Sequence, residues 1–168
     1  TGEWRYSPVS IRIRGAHGEP LWTAHPTQDI AAISLPSGVA RGSVPIARLA
    51  TSKTVTTLDL APGDEMMVLG YPQGFSANAA GFPILRAGKV ASYPLAPLTR
   101  YPTYLLDFSV FAGNSGGPVY VVRSVNGRQA QVTVTGILTQ ELRLKRDRLE
   151  IGNVTHAARR LKISRKSL

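Results

Sequence analysis

Glycine and proline are spread along the whole chain and divide it into short apolar runs. The 168 residues include 16 glycines and 12 prolines, and no apolar run is long enough for a transmembrane helix. Short apolar runs bounded by turn-forming residues are typical of β-sandwiches and β-barrels, so we expect an all-β fold. The predicted strands are residues 9–14, 30–35, 65–69, 84–91, 104–108, 118–122 and 131–138.

Two local patterns add detail to this expectation. Residues 155–162 are the only segment with a helical pattern, since Thr155 can cap a helix whose interior holds Ala157, Ala158 and Leu161. Gly88 lies inside a predicted strand and indicates a bulge or a bend there. No repeat and no low-complexity linker interrupts the chain, so we predict a single domain over residues 1–168.

The formal net charge is +10, and the chain contains no cysteine. The absence of cysteine excludes disulfides and thiolate metal sites. The positive charge favours an acidic partner such as nucleic acid, an anionic membrane or a polyanion, although a merely solvated basic surface also explains it. The densest basic blocks, residues 143–148 and 159–166, contain no aromatic residue for base stacking, so no specific nucleic-acid partner is predicted. No cofactor motif, metal-ligand cluster or phosphate-binding loop is present.

The segment Gly113-Asn114-Ser115-Gly116-Gly117-Pro118 has the composition of a nucleophile loop. A serine that attacks a carbonyl must stand clear of the backbone, and two N–H groups nearby must hold the developing oxyanion. Glycines permit the unusual dihedral angles of such a loop and the close approach of a substrate. The alternative is a glycine-rich turn that contains a serine by chance.

The same residues also match the G-x-S-x-G pattern of α/β-hydrolases, and Ser115, Asp147 and His156 follow the triad order of those enzymes. However, that fold requires a helix directly after the serine. Here a β-type run, residues 119–122, follows instead, and the alternating strands and helices of that fold are missing. The sequence therefore favours a β-type serine hydrolase.

The motif GNSGGPV resembles the nucleophile loop of trypsin-like serine peptidases, in particular their cysteine-free bacterial members. The resemblance extends to three more segments in family order: residues 29–35 (DIAAISL), residues 63–72 (GDEMMVLGYP) and residues 136–139 (GILT). It implies two antiparallel β-barrels of the trypsin-like fold. Residues 1–60 would be the remainder of an incomplete first barrel, and residues 61–168 would be the second barrel with a short C-terminal helix.

The resemblance implies a role for each matched residue. Ser115 would be the nucleophile, and Asp29 would orient the catalytic histidine from the start of an apolar strand that shields its carboxylate from water. The N–H groups of Gly113 and Ser115 would form the oxyanion hole. Asn114 stands where vertebrate members carry the aspartate that pairs with a freed amino terminus, so activation by that route is not expected.

The resemblance also implies a set of substrate-binding residues. Ser109 falls near the base of the specificity pocket, and Thr139, Gln140 and Glu141 lie along its wall. With Glu141 at the rim, we expect a mild preference for small or basic residues, unless Glu141 only pairs with Arg143 or Lys145 in solvent. No cofactor and no metal is expected for this chemistry.

The catalytic histidine is missing from its family position. His17 and His25 precede Asp29 by too few residues to occupy a separate strand end, and His156 comes too late in the chain. We therefore expect structural or surface roles for all three histidines and a catalytic histidine upstream of Thr1. The chain as it stands should be nearly inactive, since removal of one triad member leaves only about 10³–10⁴-fold acceleration over water.

Two functions remain open from the sequence. The first is a serine endopeptidase that hydrolyses peptide bonds in proteins through an acyl-enzyme on Ser115. The second is a peptidase-like binding module without a triad, whose basic surface holds an acidic partner.

Overall fold

The computed structural model describes residues 3–39, 42–124, 130–143 and 148–156. These residues contain eight strands and one short α-helix. In chain order they are β1 (Trp22–Ala24), β2 (Ala31–Ile33), α1 (Ser52–Thr57), β3 (Glu65–Gly70), β4 (Ile84–Val90), β5 (Thr103–Asp107), β6 (Pro118–Arg123), β7 (Gln131–Arg143) and β8 (Arg148–His156). The all-β expectation is thus confirmed.

Six of these strands form a closed antiparallel barrel in the order β3-β4-β5-β8-β7-β6. The barrel closes where β3 pairs with β6, with Met67 opposite Tyr120 and Val68 opposite Val119. Closure leaves no open sheet edge, so every strand is paired on both sides. The strands of the barrel lie between Glu65 and His156, within the range 61–168 in which a barrel was predicted.

The hydrophobic core fills the inside of this barrel. Residues of β3 alternate between buried and half-buried or exposed positions, as the two-residue period of a strand requires. The largest fully buried apolar side chains come from five different barrel strands, and they are Met66, Val68, Leu106, Val119, Leu138 and Val154. The core therefore depends on pairing between strands that are distant in the chain.

Residues before the barrel do not form a second barrel in the described part of the chain. They contain only the two-stranded sheet of β1 and β2, with Thr23 opposite Ala32. Every described side chain before Ala50 is exposed or half-buried. Since a closed barrel needs a buried interior, this region has no core around which a barrel could form.

Helix α1 was not predicted from the sequence. Its residues, SKTVTT, include four β-branched side chains with poor helix propensity. The helix forms because the Thr51 side chain accepts a hydrogen bond from the Thr54 N–H at 3.2 Å, and because Val55 is buried against the barrel core. No helix within the described residues is long and apolar enough to cross a membrane.

Three local predictions are wrong. Residues 9–14 form no strand and make only one bridge, between Arg14 and Pro20. Gly88 pairs in register with Met66, so it marks close packing against Phe108 and not a bulge. Thr155 and His156, expected in the C-terminal helix, are the last residues of β8, where Thr155 pairs with Thr103 and Ile137. The remainder of that predicted helix lies outside the described residues.

Candidate active site

The predicted nucleophile loop connects β5 to β6 at one end of the barrel. Ser115 lies in a turn of this loop and is exposed. Gly113 and Gly116 on either side have φ angles of 93° and 83°, in the left-handed region that favours glycine. The loop therefore leaves Ser115 accessible to solvent, which a nucleophile would require.

Two glycines of the loop lie so close to other backbone that no side chain fits. A Cβ atom on Gly113 would collide with the carbonyl oxygen of Tyr71, and a Cβ atom on Gly117 would collide with that of Leu69. Both carbonyls belong to the chain at and just beyond the end of β3. The glycines of the motif thus allow the loop to pack directly against the main chain of the barrel.

Hydrogen bonds fix the loop to the segment that follows β3. The Tyr71 N–H donates to the Gly113 carbonyl at 3.0 Å, and the Gln73 N–H donates to the Ala112 carbonyl at 2.6 Å. Gln73 adopts a φ of 53°, which turns its N–H toward the loop. The GYP segment is therefore a structural support of the loop that carries Ser115.

The opposite side of the loop is bound to β7. The Gly116 N–H donates to the Leu138 carbonyl at 2.7 Å, and the Leu138 N–H donates to the Gly117 carbonyl at 3.0 Å. These bonds hold Ser115 beside the strand that the sequence predicts as the wall of the specificity pocket. The tertiary structure thus brings residues 113–117 and 136–139 together.

The two N–H groups predicted to form the oxyanion hole are available for a ligand. Neither the Gly113 N–H nor the Ser115 N–H donates to any acceptor among the described residues. A free N–H beside an exposed serine is what stabilisation of an oxyanion requires. Within the same part of the chain, the Ser115 hydroxyl has no hydrogen-bond partner either.

Asn114 stabilises the loop through hydrogen bonds of its main chain. Its side chain is 1% exposed, and its main chain closes two turns, by donating to Phe111 and accepting from Gly117 at 3.0 Å each. The Asn114 Nδ2 atom has no partner among the described residues. An unpaired buried amide lowers the free energy of unfolding by about 1–3 kcal/mol. Other contacts of the loop must therefore offset the burial of this side chain.

Asp29 lies in the bend just before β2, and its side chain is exposed. The shielding from water that we expected at this position is absent, because the two-stranded sheet of β1 and β2 is not covered by a core. This sheet shares no strand pairing with the barrel. That Asp29 orients a histidine beside Ser115 therefore stays a prediction.

His25 closes the turn between β1 and β2. Its Nδ1 atom accepts hydrogen bonds from the N–H groups of Thr27 and Gln28, both at 3.2 Å. An Nδ1 atom that accepts carries no proton, so this imidazole cannot donate from Nδ1 to an aspartate as a catalytic histidine does. His17 is exposed, and its main-chain N–H donates to Glu19 at 3.0 Å.

His156 is buried at the end of β8, with 3% of its surface exposed. Its ring lies 4.8 Å from that of Tyr104, centroid to centroid, and neither ring nitrogen has a hydrogen-bond partner of acceptable geometry among the described residues. Burial lowers the pKa of His156 to about 4, and the nearby Thr135 main chain opposes part of this shift. His156 is thus a neutral core residue at neutral pH.

The structure describes the predicted substrate-binding residues to different extents. Ser109 is half-buried between the buried Phe108 and Val110. The Thr139 hydroxyl is engaged within the sheet, 3.3 Å from the Asn153 carbonyl and 3.3 Å from the Thr155 hydroxyl. The main chains of Gln140 and Glu141 belong to β7, opposite Asn153 and Gly152. The side chains of Gln140 and Glu141 lie outside the described part of the structure. The same holds for the side chain of Arg143 and for the whole of Lys145.

One feature of the site was missed from the sequence. An apolar pocket adjoins the nucleophile loop, and Arg86 of β4 makes cation–π contacts with two phenylalanines of that loop. The signal in the sequence is weak, since the pocket collects residues from three separate segments. Among the described residues, no group of histidines or carboxylates could hold a metal ion.

Comparison with known proteins adds no assignment. No protein-family model matches the chain, and no curated protein is significantly similar to it.

Proposed function

We propose that this chain is part of a trypsin-like serine endopeptidase in which Ser115 forms the acyl-enzyme. The observation that carries the proposal is the loop at residues 113–117. It presents an exposed serine between two glycines of positive φ, next to two N–H groups without acceptors in the described structure. The resemblance of GNSGGPV to the family motif supports the same assignment.

In this proposal the loop supplies the nucleophile and the oxyanion hole, and a histidine from outside these 168 residues supplies the base. That base would take the Ser115 proton as the serine attacks the peptide carbonyl, and would return it to the leaving amine. The Gly113 and Ser115 N–H groups would hold the oxyanion. Asp29 would orient the histidine, and we expect the β1–β2 sheet to become covered when those upstream residues are present.

The test compares two chains for reaction with a fluorophosphonate, which labels activated serines. One chain is residues 1–168, and the other also contains the residues that precede Thr1 in the open reading frame. We expect labelling of the longer chain only, because an unactivated serine reacts poorly. Ser115→Ala should abolish the labelling, whereas Ser76→Ala, which removes a loop serine that bonds to Asn78, should leave it unchanged.

The second candidate is a binding module without catalytic activity, favoured by the net charge of +10 and by the lack of a histidine bonded to Ser115 in the described structure. Absence of Ser115 labelling in the longer, folded chain would support this module and contradict the peptidase. Robust hydrolysis by the 168-residue chain would instead show that one of its three histidines is the base, which single substitutions of each to alanine would identify.

A further inference from the structure

A small open pocket lies beside the nucleophile loop. Its volume is about 260 Å³, and it is lined by Pro72, Gln73, Phe75, Ile84 and Phe111. Pockets for drug-sized ligands have volumes of roughly 300–1,000 Å³, so this one suits a single side chain. Its lining is apolar apart from Gln73, which favours an aromatic or aliphatic occupant.

The pocket is fixed to the loop that carries Ser115. Phe111 belongs to that loop, and the N–H of Gln73 donates to the neighbouring Ala112 carbonyl at 2.6 Å. A side chain in the pocket would therefore belong to a ligand that also lies across the nucleophile loop.

Arg86 supplies a positive charge at this place. It lies two residues after Ile84 on the same face of β4, and its guanidinium carbon is 5.1 Å from the ring centroid of Phe111 and 5.7 Å from that of Phe108. Both distances are those of cation–π contacts, which leave the guanidinium N–H groups without a conventional hydrogen-bond acceptor. The side chain is held in place by the rings without losing its donors.

No acidic group neutralises Arg86 in the described structure. The ion pairs found there involve Arg5 with Glu3 and Arg123 with Asp64. Arg86 also makes no hydrogen bond to any described residue. A half-buried guanidinium without a partner is a binding site for a carboxylate, because a charge-assisted hydrogen bond is stronger than a neutral one.

We propose that the pocket and Arg86 together form a subsite for an apolar side chain that is followed or preceded by an acidic one in a peptide. The apolar side chain enters the pocket against Phe75 and Phe111, and the carboxylate binds the edge of the Arg86 guanidinium. That the ligand is a peptide rests on the proposed function.

The test measures peptide binding and does not depend on catalysis. N-acetyl-Phe-Glu-amide and N-acetyl-Phe-Gln-amide are titrated into the 168-residue chain, and the backbone amide resonances are followed by NMR. We expect the glutamate peptide to bind roughly twofold to fivefold more tightly, the range for a partly exposed charge pair. The perturbed resonances should include Gln73, Phe75 and Ala112.

Four variants assign the effect. Arg86→Gln should remove the preference for glutamate, and Arg86→Lys should retain part of it, since an ammonium keeps the charge without the planar fork. Lys89→Gln is the matched control: it removes one charge from the same strand at an exposed position and should leave the preference intact. Phe75→Ala should weaken both peptides equally, and it should fold, since Phe75 is 65% exposed.

The outcomes separate this subsite from the peptidase itself. Equal binding of the two peptides, or a preference that survives in a folded Arg86→Gln variant, overturns the subsite even if the longer chain is labelled at Ser115. An Arg86-dependent preference without Ser115 labelling in the longer chain supports the subsite and overturns the peptidase. Perturbations confined to residues away from the pocket also count against the subsite.

Discussion

Single residues at this site illustrate how far local chemistry can be interpreted from sequence. Gly113 and Gly116 are glycines because their φ angles are positive, and this requirement is visible in the motif itself. His156 is the opposite case. Nothing in its sequence neighbourhood indicates that it lies inside the barrel next to Tyr104, where burial raises the pKa of that tyrosine.

Burial of His156 predicts an acid-sensitive fold. Its pKa is about 4 in the folded state against an ordinary 6.5, so between these values the unfolded chain binds more protons than the folded chain. The free energy of unfolding should therefore fall as the pH falls from about 6.5 to about 4, by about 3 kcal/mol in all from this residue.

Urea unfolding at a series of pH values measures this contribution. In His156→Phe, which keeps a ring beside Tyr104, the loss between pH 6.5 and 5 should be markedly smaller than in the unsubstituted chain. His17→Ala removes an exposed histidine and should leave the pH dependence unchanged. An identical profile in His156→Phe and the unsubstituted chain would show that His156 does not contribute.

At the scale of elements, the nucleophile loop depends on contacts with two strands that are far away in sequence. The segment after β3 supports one side of the loop, and Leu138 of β7 supports the other. The strand bounds near the loop were predictable, since β3, β4 and β6 begin at the predicted residues. The pairing of β7 with β8 could not be predicted, because it depends on which barrel strands still lack a neighbour once the other strands have paired.

Two adjacent glycines of the loop should differ in their tolerance of alanine. At Gly117 a Cβ atom would collide with the Leu69 main chain, whereas at Gly116 it would meet nothing within 4 Å and only the φ of 83° is unfavourable. We expect Gly117→Ala to lower the free energy of unfolding by about 2 kcal/mol more than Gly116→Ala.

Thermal or urea unfolding of the two variants gives this difference directly. The Leu138 amide, which bonds to the Gly117 carbonyl, should also exchange faster with deuterium in Gly117→Ala. Equal stability of the two variants would mean that the loop is not packed against β3 as described.

At the scale of the whole molecule, the barrel and the residues before it differ in burial. The described residues before Ala50 contribute no buried side chain, and one of their contacts with the barrel is the edge-to-face packing of Trp4 on Phe82, with centroids 5.2 Å apart. Residues 50–60 are different, since Ala50, Val55 and Leu58 belong to the core of the barrel.

We therefore predict that removal of residues 1–43 leaves the barrel folded. The free energy of unfolding should change by no more than about 1 kcal/mol, as for other exposed segments. Removal of residues 1–58 is the control and should be severely destabilising, since burial of each valine or leucine contributes about 1.5–3 kcal/mol. Loss of cooperative unfolding in the shorter truncation would show that residues 1–43 belong to the same folding unit.

The all-β character of the chain and the position of its candidate nucleophile follow from the amino-acid sequence alone. Both depend on local requirements: glycine at positive φ, proline and glycine between strands, and alternating burial along β3. Three features depend on tertiary contacts instead. One barrel closes while the described residues before it form no barrel, His156 lies in the core, and Arg86 lies against the nucleophile loop with no acidic partner in the described chain. These features arise from contacts between segments that are far apart in the chain. The free energy of such a contact depends on the surface that it buries, which the local sequence does not reveal.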